Sequence, residues 1–374
     1  MKNFFEKSIY SLVNHLPIKK TIIFESAPSY SDNTKAVFDE MVRRGLNKKY
    51  LLVWHIFEKD RNCFIDGDNI TYITKWDNKA RWYYARAKAL VFCNRLLPKL
   101  LDDQKSFNLT HGSALKDTTY YSFPHYIDYC ICPSNNISPL LARIANYPEN
   151  RIIPLGYPRN DILTSTKQAD LSKLFGYYKK YVVWYPTFRQ HNCGLDLCDL
   201  KNALPIINDA ELARKLNSCA AKNNVLIILK PHFAQDTSYI KDLGLGNIRF
   251  INDLFFTENN ISSYEFIAAT DALLSDYSSI YHDYTLCDKP IGLVWEDIEE
   301  YKKKPGLIKE YEYICQGGVK IYTIDDLCNF VEDVANDIDR LKKERNEICD
   351  WLNYSRDGKN TERVVDFIIE KAGL

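Results

Sequence analysis

The stretch Ala272-Leu273-Leu274-Ser275-Asp276-Tyr277-Ser278-Ser279-Ile280-Tyr281-His282-Asp283 reads as a short buried strand that turns at once into a helix. Ala272–Ser275 shows no polar alternation, as expected of a strand covered on both faces. Ile280, Tyr284 and Leu286 follow at helical spacing. Ser278 and Ser279 then sit near the helix N-terminus, where free N–H groups attract phosphate. The same small hydroxyl residues also cap helices, so donor binding and capping stand side by side here.

The same rhythm extends in both directions. Short apolar runs at 21–25, 50–54, 88–93, 106–110, 128–132 and 151–155 form one set of expected strands, separated by helix-length segments. Runs at 181–185, 224–230, 247–251, 272–275 and 290–295 form a second. Strand-sized apolar runs alternating with helices predict parallel βαβ units, and hence two doubly wound α/β domains. The polar, lysine-rich segment 164–180 separates them. We therefore expect an N-terminal domain over 1–165, a second over 180–355 and a closing C-terminal helix over 356–374. Ligands of such folds bind beyond the carboxyl ends of the strands, in loops expected to face a central cleft.

Composition narrows the function classes. Of 374 residues, 49 are Lys or Arg and 49 Asp or Glu, so the formal net charge is zero. That balance argues against nucleic acid as a partner. The 11 cysteines are odd in number and contain no C-x-x-C spacing, which fits a reducing cytoplasmic compartment. No apolar run approaches the ~18–20 residues of a membrane span. Phe5, Ile9, Leu12, Val13 and Leu16 share one face of an expected helix at 1–17, with Lys2, Lys7, Lys19 and Lys20 around it. Such a helix either lies on an anionic membrane surface or packs on its own domain.

Polar clusters follow the expected strands. Thr110-His111-Gly112-Ser113 places an imidazole at a strand end, suited to removing a hydroxyl proton, although a structural histidine fits the same position. Lys230-Pro231-His232 follows five apolar residues and sets a cation and an imidazole where a phosphate or leaving group would lie. Gly156–Asp161 and Tyr185–Arg189 carry Arg159, Thr187 and Arg189 in turns after strands, and guanidinium forks match phosphate oxygens. No His-x-x-x-His pair or zinc-spaced cysteine pair occurs, and neither does a Walker A or Gly-x-Gly-x-x-Gly sequence. No metal and no cofactor is expected.

Taken in order, Ser31-Asp32-Asn33, His111-Gly112, Gly156–Asp161, Tyr185–Arg189, Lys230–His232, Ser275–Asp283, Asp288-Lys289-Pro290 and the tail Arg356–Val365 resemble the CDP-glycerol glycerophosphotransferases. That family comprises teichoic-acid primases and polymerases and their capsule-building relatives. The resemblance implies a GT-B architecture of two Rossmann-like domains. It implies transfer of a glycerol or ribitol phosphate from a CDP-alditol to a hydroxyl of a cell-surface polymer or lipid-linked primer, with release of CMP. The expected location is the inner face of the bacterial membrane, peripherally bound. By resemblance His111 and His232 are the catalytic histidines. Gly112, Ser113, Arg159, Thr187, Arg189, Lys230, Pro231, Ser278, Ser279 and Asp283 surround the CDP-alditol. The sequence departs from the family pattern at Thr110, Ser113-Ala114, Lys304–Leu307 and Gln316–Gly318. Two other readings use the same loops: a GT-B glycosyltransferase taking a CMP- or UDP-sugar, and a non-catalytic polymer-binding subunit.

Overall fold

The computed structural model describes residues 20–374 apart from 64–66, 76, 78, 94–96, 113–115, 118–121, 188–203, 233–234, 236 and 242. The chain divides into two compact units. Described residues within 1–113, 119–161 and 353–374 form the first, and those within 114–118 and 162–352 form the second. The division thus falls a little before 164–180, and the chain's last helix belongs to the first unit.

The first unit is built on a seven-stranded sheet of β1 (Thr21–Glu25), β2 (Leu51–His55), β3 (Ile70–Ile73), β4 (Ala87–Phe92), β5 (Lys105–Asn108), β6 (Tyr129–Cys132) and β7 (Ile152–Pro154). Their spatial order is β3-β2-β1-β4-β5-β6-β7, with every neighbouring pair parallel. Ile22, Phe24, Leu52, Trp54, Val91 and Phe107 are fully buried and share one core with Val37 and Met41 of helix α1 (Asp32–Arg43). The last helix, Asn360–Ala372, joins this core through Val364, Val365 and Ile368. Each such side chain contributes roughly 1.5–3 kcal/mol of apolar burial. Its N-terminus is capped from a distance: Asp161 accepts the backbone N–H groups of Asn360 at 2.9 Å and Thr361 at 2.8 Å.

The second unit holds β8 (Lys180–Trp184), α2 (Ala210–Lys222), β9 (Val225–Leu229), β10 (Ile248–Phe250), β11 (Ala272–Ser275), α3 (Ile280–Tyr284), β12 (Ile291–Val294), β13 (Val319–Ile321) and α4 (Ile324–Ala335). Its sheet runs β10-β9-β8-β11-β12-β13, again all parallel. Val182, Trp184, Ile227 and Leu229 pack against Ala213 and Leu216 of α2 and Val331 and Val334 of α4. Asp209 caps α2 through the Leu212 N–H at 2.8 Å, and a Thr323–Asp326 capping box opens α4.

Counted within its own unit, each sheet shows the order 3-2-1-4-5-6, the first carrying one strand more. This is the dinucleotide-fold order, and it places the reversal of winding between β1 and β4 and between β8 and β11. The edge strands β3 and β13 lack a continuous apolar run such as those of β9 and β11. One is Ile-Thr-Tyr-Ile, the other Val-Lys-Ile, and each leaves residues half-exposed. Among the described residues, no helix is long and apolar enough to cross a membrane. Residues 1–17, with the expected amphipathic helix, lie outside those described.

Candidate functional site

In the first unit, three loops at the carboxyl edge of the sheet meet on one carboxylate. Asp32 opens α1 at the end of the loop after β1, beside the reversal point, and His111 lies just beyond β5. The His111 Nδ1 is 3.0 Å from one Asp32 oxygen, and an Arg159 Nη is 2.6 Å from the other. Arg159 also donates to the His111 carbonyl at 3.0 Å. Asn33 ties the same loops together, giving Nδ2 bonds to the Leu109 and Thr110 carbonyls and accepting the Arg159 N–H at 3.1 Å.

Burial works against ionisation of Asp32, yet Arg159 and the His111 hydrogen bond outweigh it and hold the carboxyl below its usual range. The charged contacts are therefore complete above about pH 4. They are lost only as pH falls through the lower folded-state value. With the carboxylate on Nδ1, the ring carries its proton there and leaves Nε2 as the basic lone pair. His111 is 66% exposed, whereas Asp32 and Arg159 are 12% and 9% exposed. A fixed, buried charge thus orients a reachable imidazole. Two residues at this junction adopt left-handed backbone, Asp32 at φ 62° and Thr110 at φ 49°. For β-branched Thr110 that conformation is costly. It is held by bonds to Asn108 Oδ1 and the Ile131 carbonyl, both at 3.0 Å.

The Gly156–Asp161 loop divides its work. Arg159 reaches Asp32, while Asp161 and the Tyr157 and Pro158 carbonyls hold the start of the last helix. Gly156 has φ 84° and packs directly against the Asn360 side chain.

In the second unit the carboxyl edge gathers a separate set. Thr187, after β8, gives its N–H to both oxygens of Asp276 at 2.9 Å and its hydroxyl to Oδ1 at 2.5 Å. Asp276 follows β11, so these bonds close the reversal point. Lys230, after β9, pairs with Asp253 at 2.8 Å and lies 5.6 Å from the Tyr185 ring centre. Pro231 and His232 follow it. Burial, and next the Lys230 charge, lower the His232 pKa, with Asp253 opposing.

Ser278 and Ser279 are half-exposed, and α3, which they precede, has only five residues. Ser279 makes no side-chain cap bond, and no described residue bonds either hydroxyl. The capping reading is thus not realised, while the helix dipole expected there is confined to a single turn. Asp283 points inward instead. It is 2% exposed and accepts the Tyr264 hydroxyl at 2.5 Å. Gly112 is half-buried beside His111, whereas Ser113 and Arg189 lie outside the described residues.

The profile of the CDP-glycerol:poly(glycerophosphate) glycerophosphotransferases matches residues 8–370. The chain belongs to that family. As a glycerophosphotransferase-family enzyme, it transfers an alditol phosphate from a CDP-alditol to a hydroxyl acceptor, and the sugar-transferase and non-catalytic alternatives give way. Among its relatives is the teichoic acid poly(glycerol phosphate) polymerase of Bacillus spizizenii, 25% identical over 405 residues that cover 96% of this chain and 95% of that protein. The teichoic acid ribitol-phosphate polymerase TarK of Staphylococcus aureus is 24% identical, over 97% of this chain and 71% of its own length. Among solved structures, a variant of the wall teichoic acid polymerase TagF soaked with CDPG superposes with a TM-score of 0.75 at 21% identity. That match covers 99% of this chain and 94% of the TagF chain. The likeness establishes the GT-B fold.

Residue chemistry alone did not single out three residues that contact the candidate groups: Asp32, Asn33 and Asp253. Asp32 and Asn33 entered only through family resemblance, although a polar pair opening the helix that follows the strand at a reversal point is itself a signal. Asp253 carries no local motif, and only tertiary contact brings it to Lys230, whereas Asp276 belongs to the Ser275–Asp283 stretch and tertiary contact adds its pairing with Thr187.

Proposed function

We propose that the protein elongates or primes a polyol-phosphate polymer by in-line attack of an acceptor hydroxyl on the β-phosphorus of a CDP-alditol. A P–O bond forms to the acceptor, the bond to the bridging oxygen breaks, and CMP leaves with that oxygen. The observation that carries this reading is the exposed His111 ring held by buried, ionised Asp32. His111 Nε2 takes the acceptor proton. Asp32 is a positioning residue that fixes the tautomer, and Arg159 fixes Asp32. Lys230 and His232 neutralise charge on the phosphates and on departing CMP, and the Ser278 and Ser279 hydroxyls bind the diphosphate. Such a transfer depends on placement and charge neutralisation rather than on a covalent intermediate.

Incubation with CDP-glycerol, CDP-ribitol, CMP-sialate and UDP-sugars, each with a polyol-phosphate or glycan acceptor, tests the reading. CMP should appear only with a CDP-alditol and only when acceptor is present. Nucleotide release from a sugar donor would sink it.

His232 supplies a second measurement. Burial and Lys230 favour the neutral ring, whereas a bound diphosphate favours the protonated one, so donor binding should take up a proton. Donor affinity measured by calorimetry between about pH 5 and 8 should tighten toward acid. The slope should be at most about tenfold per pH unit, and it should vanish in His232→Ala. A flat wild-type profile would remove His232 from the phosphates.

We assign the enzyme to the inner membrane surface, with the 1–17 segment as its anchor. The support is the apolar face of Phe5, Ile9, Leu12, Val13 and Leu16 within a basic surround. Removing residues up to His15 should abolish sedimentation with anionic vesicles and spare turnover of a soluble acceptor. Unchanged sedimentation would return the segment to a packing role.

A further inference from the structure

We propose that Cys219 and Cys328 form a peroxide-sensitive dithiol that closes into a disulfide between α2 and α4. The two thiols belong to neighbouring helices on one face of the second sheet. Ala213, Leu216 and Ala220 turn the inner face of α2 into the core, and Leu327, Val331 and Val334 do the same for α4. Cys219 and Cys328 pack at the margin of that core, both half-buried. The Cys219 thiol donates to the Cys328 carbonyl oxygen at 3.5 Å, which places the two residues side by side across the helix pair. The Asn223 Nδ2 approaches the Cys219 Sγ at 4.0 Å.

The pair is asymmetric. A hydrogen bond from the Cys328 thiol favours the Cys219 thiolate, while the same contact holds the proton on Cys328. In the proposed order Cys219 attacks peroxide and Cys328 resolves. Its thiolate displaces hydroxide from hydrogen peroxide and becomes a sulfenic acid. Cys328 then attacks that sulfur, forming the S–S bond and releasing water. Two thiols lose two electrons, and one peroxide ends as two waters. Several other described cysteines contrast with this pair. Cys93, Cys132 and Cys315 are buried, and burial pushes each thiol up to about 12. None of these three presents a thiolate to an oxidant.

Closure would join residues 109 apart in sequence, since 328 − 219 = 109. A loop of that length removes substantial freedom from the unfolded chain. The oxidised form should therefore melt higher than the reduced one, by several degrees and reversibly with dithiothreitol.

The experiment exposes the folded full chain to hydrogen peroxide, quenches it with an alkylating agent and maps peptides without reduction. The expected result is a linked peptide pair containing Cys219 and Cys328, two hydrogens lighter than the sum of its parts. Its appearance should outpace thiol loss at Cys93, Cys132 and Cys315. Cys219→Ser and Cys328→Ser, prepared separately, should each abolish the linked pair and leave reduced-state turnover as in the parent. Failure to find the linked pair while both thiols stay alkylatable would overturn the proposal. So would a Cys328 thiol that is lost as fast in Cys219→Ser as in the parent.

Discussion

His111→Ala should lower saturating turnover by about 10²–10⁴-fold, the usual contribution of a positioned general base, with CDP-alditol affinity nearly intact. Asp32→Asn should follow in the same direction, losing about tenfold or more, or about 1.4 kcal/mol of barrier per factor of ten. An asparagine keeps the shape but supplies no charge, and its amide can present a donor to Nδ1 where the carboxylate accepts. The effect of Asp32 should therefore fall on kcat and leave donor affinity unchanged, which a general loosening of the fold would not do. Because Asp32 acts through His111, the double variant should be no slower than His111→Ala alone. Stopped turnover at saturating donor, together with calorimetric donor affinity, measures all three variants. Multiplicative losses in the double variant would detach Asp32 from the base. Loss of donor binding in His111→Ala, in proportion to rate, would make His111 a binding group.

Gly156→Ala should be among the most damaging single substitutions for stability. The backbone there has φ 84°, and an added Cβ would stand 2.1 Å from the Asn360 Oδ1 and 2.4 Å from its Cγ. Asn360 has little room to withdraw, because its Nδ2 bonds the Tyr157 carbonyl and its Oδ1 accepts from Arg363. The left-handed backbone costs about 1–2 kcal/mol for a residue with a Cβ. Overpacking adds about 1–3 kcal/mol. Gly373 provides the control within the same unit. It too has positive φ, at 63°, but nothing lies within 4 Å of its Cβ position. Thermal melts should show a loss on the order of 10 °C for Gly156→Ala and a much smaller one for Gly373→Ala. Equal losses would mean that the Asn360 contact contributes nothing. The result also bears on the reaction, since the loop that meets Asn360 carries Arg159 to Asp32.

Much of the fold was legible in the order of residues. Continuous runs such as Val225–Leu229 and Ala272–Ser275 must lie in sheets covered on both faces, because no alternation offers one side to water. Their spacing leaves room only for crossover helices, and parallel sheets follow. The polar residues directly after these runs marked the carboxyl edges, so His111, Lys230, His232 and Ser278 could be named as candidates in advance. β3 and β13 were not legible, because an edge strand is half-solvated and Thr71, Tyr72 and Lys320 dilute its apolar signal.

Tertiary structure decided what the side chains do once the edges are assembled. Arg159 follows a strand, as a phosphate ligand would, and the fold also brings its guanidinium to Asp32, 127 residues away. Asp161 came from the same motif and caps the last helix, 199 residues further on. Asp283 lay beside two candidate serines in sequence, but the helical turn carries it inward to Tyr264. Local periodicity is set by repeating backbone geometry over a few residues, and sequence alone determined that much. A buried charge answers instead to whichever partner the crossovers bring within about 3 Å, and no short stretch encodes which one that is.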